Sequence, residues 1–170
     1  MIAYDLIGQT PLVLLESFSD ENVKIYAKLE QFNPGGSIKD RLGKYLIEKA
    51  IDEGRLKEGD TIVEATAGNT GIGLAIASNR HKVKCIIFAP EGFAEEKISI
   101  MKALGADVRR TPKVEGMTGA QQEALAYATR YGYLYMNQFE TKDNPGAYTQ
   151  TLAKQLTDEL SHIDYFVAGV

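Results

Sequence analysis

The sequence predicts an α/β chain built on mostly parallel, open sheets with helices packed along their faces. Three observations predict it. Short apolar runs alternate with helical stretches at a steady interval, and parallel neighbours need such crossovers. Two glycine-rich turns, at residues 33–37 and 66–73, each run straight into a helix. With 170 residues the chain can also bury a sizeable core, and no repeat or low-complexity tract interrupts it.

Taken in order, residues 23–29 alternate apolar and polar as a strand does. The run Asn33-Pro34-Gly35-Gly36-Ser37-Ile38-Lys39-Asp40-Arg41 then opens a long helix. Asn33-Pro34 extends the chain, and Gly35-Gly36 turn it without a Cβ in the way. Ser37 and Asp40 form an S-x-x-D capping box. Leu42, Tyr45, Leu46 and Ala50 supply the apolar stripe, and Gly54 marks the stop. With Ser37 as N-cap, Lys39 falls at the second helical position, where the positive partial charge of the helix end disfavours a cation. That potential, with Arg41 nearby, favours the neutral amine, the form that attacks an aldehyde. Taken alone, such a lysine reads more simply as a solvated surface cation.

Residues 61–65 (TIVEA) read as a short buried strand, and 70–77 open a helix of small residues. Between them stands Thr66-Ala67-Gly68-Asn69-Thr70-Gly71-Ile72-Gly73. Its backbone N–H groups point at a helix N-terminus, a site suited to a carboxylate or phosphate, and Thr66, Asn69 and Thr70 add side-chain donors. The glycines alone would also suit a turn that only packs helix against strand. Next come a strand at 83–89, a helix at 94–104 closed by Gly105, and a strand at 106–109. Residues 118–131 are helical up to Gly132, and 133–136 form a strand. Asn144-Pro145 is an N-cap and first-turn pair opening a helix to about residue 162.

Composition narrows the function. A formal charge of −4 with no basic block argues against nucleic-acid or anionic-membrane partners. No apolar run is long enough to span a bilayer, and the first residues lack a signal-peptide pattern, so the expected location is cytoplasmic. Cys85 is the single cysteine, which excludes an intrachain disulfide; in a buried strand it reads as an inert core residue. His81 and His162 stand apart from any cluster of ligands, so no metal is expected.

NPGGSIKDR followed by EATAGNTGIGLA resembles the β-replacing branch of the fold-type II pyridoxal phosphate enzymes, the cysteine synthases and cystathionine β-synthases. The similarity runs from Ile7-Gly8-Gln9-Thr10-Pro11-Leu12 to Val167-Ala168-Gly169, and it implies a strand at 165–168. It implies a tryptophan-synthase-β-like fold, truncated here, with residues 1–35 starting a larger domain, 36–143 forming a small mobile one and 144–170 returning to the larger. It further implies pyridoxal 5'-phosphate as cofactor, held by Lys39, which later acts as general base. Asn69 matches the residue that hydrogen-bonds the cofactor ring hydroxyl. Thr66, Ala67, Gly68, Asn69 and Thr70 match the loop that grips the substrate carboxylate, and Gln138 matches a glutamine joining that site. Implied substrates are O-acetylserine or serine with sulfide or homocysteine, in an enzyme that is a homodimer at full length.

Ala67 stands where many members carry serine. TAGNT, with Gly116-Met117-Thr118-Gly119-Ala120, looks more like members that make cystathionine from O-acetylserine. A Gly-Thr-Gly-Gly-Thr phosphate cup and a later serine, both expected from the resemblance, do not occur up to Val170. The 170-residue form is therefore expected to bind cofactor weakly, to turn over little and to associate through an open sheet edge. Two alternatives remain at this point: a catalytically inactive fragment, and a nucleotide-binding Rossmann unit suggested by Gly71-x-Gly73 and Glu91. The second lacks the third glycine, since Ile76 occupies its place.

Overall fold

The computed structural model describes residues 1–169. Its centre is a parallel sheet of four strands: β3 (Thr61–Ala65), β4 (Lys84–Pro90), β5 (Asp107–Thr111) and β6 (Leu134–Tyr135), in the order β5-β4-β3-β6. The register runs from Thr61 opposite Lys84 to Ala65 opposite Phe88. All five residues of β3 are buried, as expected for a parallel strand covered on both faces. A separate antiparallel pair, β1 (Leu12–Leu14) and β2 (Tyr26–Lys28), precedes this sheet.

Alternation along the strands divides the core between the two faces. Ile62, Cys85, Ile87 and Ala89 meet α1 (Lys39–Asp52), α2 (Asn69–Arg80) and α3 (Glu95–Ala103). Val63, Ala65, Ile86 and Phe88 meet α4 (Gly116–Tyr131), which offers Ala120, Ala124 and Ala128 at helical spacing. Such small side chains let α4 lie close to the sheet. Cys85 is buried, and burial pushes its thiol up to about 12, so it is unreactive at neutral pH.

The tightest contact in the fold joins α1 to α2. A Cβ on Gly73 would overlap the carbonyl group of Lys39, and one on Gly43 would overlap the backbone of Gly73. Two helices approach this closely only where both lack side chains.

Several expectations need correction. The strand expected at 23–29 is only Tyr26–Lys28, because only these residues pair with β1; Val23 and Ile25 are exposed. The helix expected from 144 to about 162 is broken into α5 (Asp143–Tyr148), a π-helical turn at Thr149–Ala153 and α6 (Lys154–Glu159). Hydroxyls of Thr149, Thr151 and Thr157 donate to carbonyls of the preceding turn, which disturbs a regular α-helix. Asn144 is not its N-cap: Thr141 Oγ1 accepts the Asp143 N–H at 3.2 Å, and Asn144 lies inside the first turn. Residues 165–168 form no strand, and Tyr165, Phe166 and Val167 are exposed. A strand exists only by pairing, and among the described residues nothing pairs with this run. The span 144–170 also ends on Val170, outside the described residues. Among the described residues no helix is long and apolar enough to cross a membrane.

Candidate active site

The strand order creates the site. From β3 the chain moves outward to β4 and β5, then returns along α4 to place β6 on the other side of β3. In open parallel sheets, ligands bind at the carboxyl ends of the strands where the order reverses. Here that point lies between β3 and β6. Residues Thr66, Ala67, Gly68, Asn69 and Thr70 follow β3 directly, and Gln138 follows β6.

Gly68 is extended and stands as N-cap of α2 without offering a side chain, while Thr66 Oγ1 accepts the Gly68 N–H at 3.1 Å. The N–H groups of Asn69 and Thr70 meet no acceptor among the described residues. Thr66 and Thr70 are buried, and Ala67 packs on the core. The loop thus presents free N–H donors on a rigid base, at the positive end of a helix.

Gln138 joins this loop through Glu64. The Glu64 carboxyl is fully buried; Oε1 accepts the Ala65 N–H at 2.7 Å and Oε2 the Gln138 N–H at 3.0 Å. Burial raises this carboxyl to about 7 against those two bonds. The Gln138 side-chain amide donates to the Ala65 carbonyl at 3.3 Å, and Asn144 Nδ2 donates to the Gln138 carbonyl at 2.8 Å. One buried acid therefore ties together the ends of β3 and β6.

Lys39 opens α1. Its N–H donates to Ser37 Oγ at 3.1 Å, but the expected capping box does not form: Ile38, already helical, stands as N-cap without a side-chain cap bond, so Lys39 is the first helical residue and not the second. Asp40 does not reach back to Ser37; its Oδ2 accepts the Gly35 N–H, and Oδ1 has no partner among the described residues. A Cβ on Gly35 would overlap that carboxyl, so the bend and Asp40 require each other. Burial pushes Asp40 up to about 6.

Arg41 also differs from expectation. It does not face the lysine amine but pairs with Glu30 at 2.8 Å and donates to the Gly8 carbonyl, Thr10 and Gln155. Its charge is thus spent on fastening residues 8–30 and α6 to α1. The Lys39 amine donates instead to the Tyr148 hydroxyl at 2.8 Å, with Nζ 5.2 Å from that ring's centre. Because Gly73 abuts the Lys39 carbonyl, the start of α1 lies against the first turns of α2, beside the 66–70 loop.

Tyr148, Glu64 and Asn144 were not anticipated in these roles. A lone carboxylate within the apolar run TIVEA is a signal that would have found Glu64. Tyr148 carries none, being 109 residues from its partner. The glycines behind the nucleotide-binding alternative serve packing instead: Gly73 against Lys39, and Gly71 against Met101 and Thr66. Glu91 is exposed beyond β4.

A family model described as "Pyridoxal-phosphate dependent enzyme" matches residues 3–170. An O-acetylserine dependent cystathionine beta-synthase of Bacillus subtilis is 49% identical over 168 residues, covering 97% of this chain and 55% of the relative. A cysteine synthase of Helicobacter pylori is 46% identical over 175 residues, covering 98% and 56%. The crystal structure of an O-acetylserine dependent cystathionine beta-synthase from Helicobacter pylori superposes with a TM-score of 0.86 at 45% identity, over 94% of this chain and 55% of that one. An O-ureido-L-serine synthase superposes with a TM-score of 0.87 at 34% identity, over 92% and 50%. The chain spans about half the length of the curated relatives it matches. These matches overturn the Rossmann alternative, whose dinucleotide fingerprint was incomplete. An amine in the first turn of one helix, the donor-lined start of a second, and a match over nearly every residue agree: the chain belongs to the family of pyridoxal-phosphate dependent enzymes.

Proposed function

We propose that this chain carries the lysine-bearing part of a β-replacement enzyme, which joins O-acetylserine or serine to sulfide or homocysteine to give cysteine or cystathionine. One observation carries the reading: the Gly43–Gly73 crossing seats Lys39 beside the N-terminus of α2, at the switch point of the sheet. The donor set fits the group. A primary amine suits an aldehyde cofactor, and the free N–H groups of Asn69 and Thr70 suit a carboxylate. Bound here, pyridoxal phosphate supplies the electron sink for the pair left when a Cα–H bond breaks.

The protein's part is orientation and proton transfer. Lys39 holds the cofactor and, once freed, takes the Cα proton at Nζ. Asn69 offers its amide to the cofactor ring. Thr66, Ala67, Gly68, Asn69, Thr70 and Gln138 grip the substrate carboxylate, which fixes the Cα–H bond for cleavage. Residues 36–143 act as the small mobile domain that closes on the substrate, while 1–35 and 144–170 belong to the larger one. The working enzyme is a cytoplasmic homodimer. The named activities of the relatives at 46–49% identity support this reading.

Incubation with pyridoxal phosphate, borohydride reduction and peptide mapping test it. The wild type should acquire a visible absorption band and carry the reduced adduct on Lys39. Lys39→Ala should lose both while melting at the same temperature. In an active form its turnover should fall by more than the roughly 10²–10⁴-fold that a general base alone supplies. An adduct mapped to another lysine would reject the assignment. Feeding O-acetylserine with sulfide or with homocysteine then identifies the acceptor.

A further inference from the structure

Tyr148 is the one group to which the Lys39 amine donates among the described residues, and nothing above gives it a role. Its mounting is rigid. Ala147 beside it is fully buried in the core, and a Cβ on Gly146 would stand 3.1 Å from the Tyr45 hydroxyl of α1. Asn144, one turn earlier, bonds the Gln138 carbonyl at 2.8 Å. The π-helical turn begins at the next residue, Thr149, and insertions of this kind re-aim the side chains around them. One short helix thus reaches both Gln138 and Lys39.

We propose that Tyr148 is a positioning residue, whose hydroxyl holds the Lys39 amine in place whenever that amine is free. This rests on the reading of Lys39 given above. The chemistry of the contact suits the task. A phenol accepts a hydrogen bond without adding a counter-charge, whereas a carboxylate at the same place would hold the amine as an ammonium ion. The neighbouring carboxylate that might have competed, Asp40, is turned to Gly35. When Nζ takes the Cα proton, the C–H bond breaks, an N–H bond forms, and the electron pair stays on the substrate side. Tyr148 neither gives nor takes a proton; it keeps accepting one N–H and so fixes where the nitrogen stands.

Two rates measured on Tyr148→Phe test this, because phenylalanine keeps the ring and removes only the oxygen. Without cofactor, acetylation of Lys39 by a small activated ester, read by peptide mass spectrometry against exposed Lys102, should rise about fivefold as the amine loses its partner. With pyridoxal phosphate, the borohydride-trapped adduct on Lys39 should form about fivefold more slowly, since the amine is no longer aimed. The opposite directions are the signature. A general loosening would raise both rates, and that result, or two unchanged rates, would overturn the proposal. Lys39→Ala supplies the reciprocal measurement: nitration of Tyr148 relative to exposed Tyr165 should rise, and an unchanged ratio counts against the pairing. If wild type forms no adduct on Lys39, the functional reading fails, and the acetylation and nitration ratios alone judge the contact.

Discussion

The central sheet and the two ends of the chain carry similar apolar runs with opposite outcomes. In β3 and β4, Ile62, Val63, Ile87 and Ala89 are fully buried between helices on both faces. At the ends, Phe18, Val23, Ile25, Tyr165, Phe166 and Val167 are exposed, although their local patterns look as apolar. The difference lies in the neighbours. Each central strand has a parallel partner and a helix above and below, whereas β1 and β2 have only each other and 165–168 pairs with nothing described. Burial is conferred by the surroundings of a residue more than by its own pattern.

The largest test falls on the one charged side chain buried in the central region. Glu64 has its carboxyl raised to about 7 from an ordinary value near 4.5. Between those values the folded chain holds a proton that the unfolded chain has released, so the contribution of Glu64 to stability is fully present below about pH 4.5 and is lost as pH rises to about 7. At about 1.4 kcal/mol per unit the decline amounts to roughly 3 kcal/mol. Urea midpoints of wild type and Glu64→Gln across this window should show the slope in the first and a shallower one in the second. Asp40 adds a slope of the same sign at lower pH. Equal slopes in both proteins would mean that Glu64 is solvated, and the contrast between centre and ends would weaken.

Next comes the helix crossing. Gly73→Ala places a methyl group where the Lys39 carbonyl stands, with only backbone to move aside. Overpacking of this kind costs about 1–3 kcal/mol. Because the displaced atoms belong to Lys39, trapping of pyridoxal phosphate on that residue should slow as well. A variant that melts like wild type and traps cofactor at the same rate would show that the two helices have slack.

The smallest effect belongs to the ends. Val167→Ser should change stability by no more than about 0.5 kcal/mol, as exposed substitutions do. A loss of several times that amount would reveal that this run is covered in solution, and would erase the distinction between the two regions.

Much of the chain was legible because its signals are local. Glycine turns, helix stops and the apolar alternation of β3 through β6 depend on residues within a few positions of one another. Lys39 and the 66–70 loop were equally readable, since each begins a helix behind a recognisable bend. The expected capping box shows where local reading stops. Ile38 takes the cap position expected of Ser37, and Asp40, wholly buried, takes the Gly35 N–H that the bend delivers to it. The helix from 144 onward failed for a related reason: threonine hydroxyls compete for its carbonyls, and the side chain expected to cap it was drawn to Gln138.

The sequence by itself determined the alternation of strand and helix, the amine in the first turn of α1 and the donors at the start of α2. Those features follow from turn chemistry, periodicity and side-chain type, which act over a few residues. Only the tertiary structure decided that β6 lies beside β3, that Gly73 meets the carbonyl of Lys39, and that Tyr148 receives its amine from 109 residues away. These contacts depend on the route of the chain across the sheet, because a hydrogen bond or a close packing contact forms only where the fold brings two surfaces together.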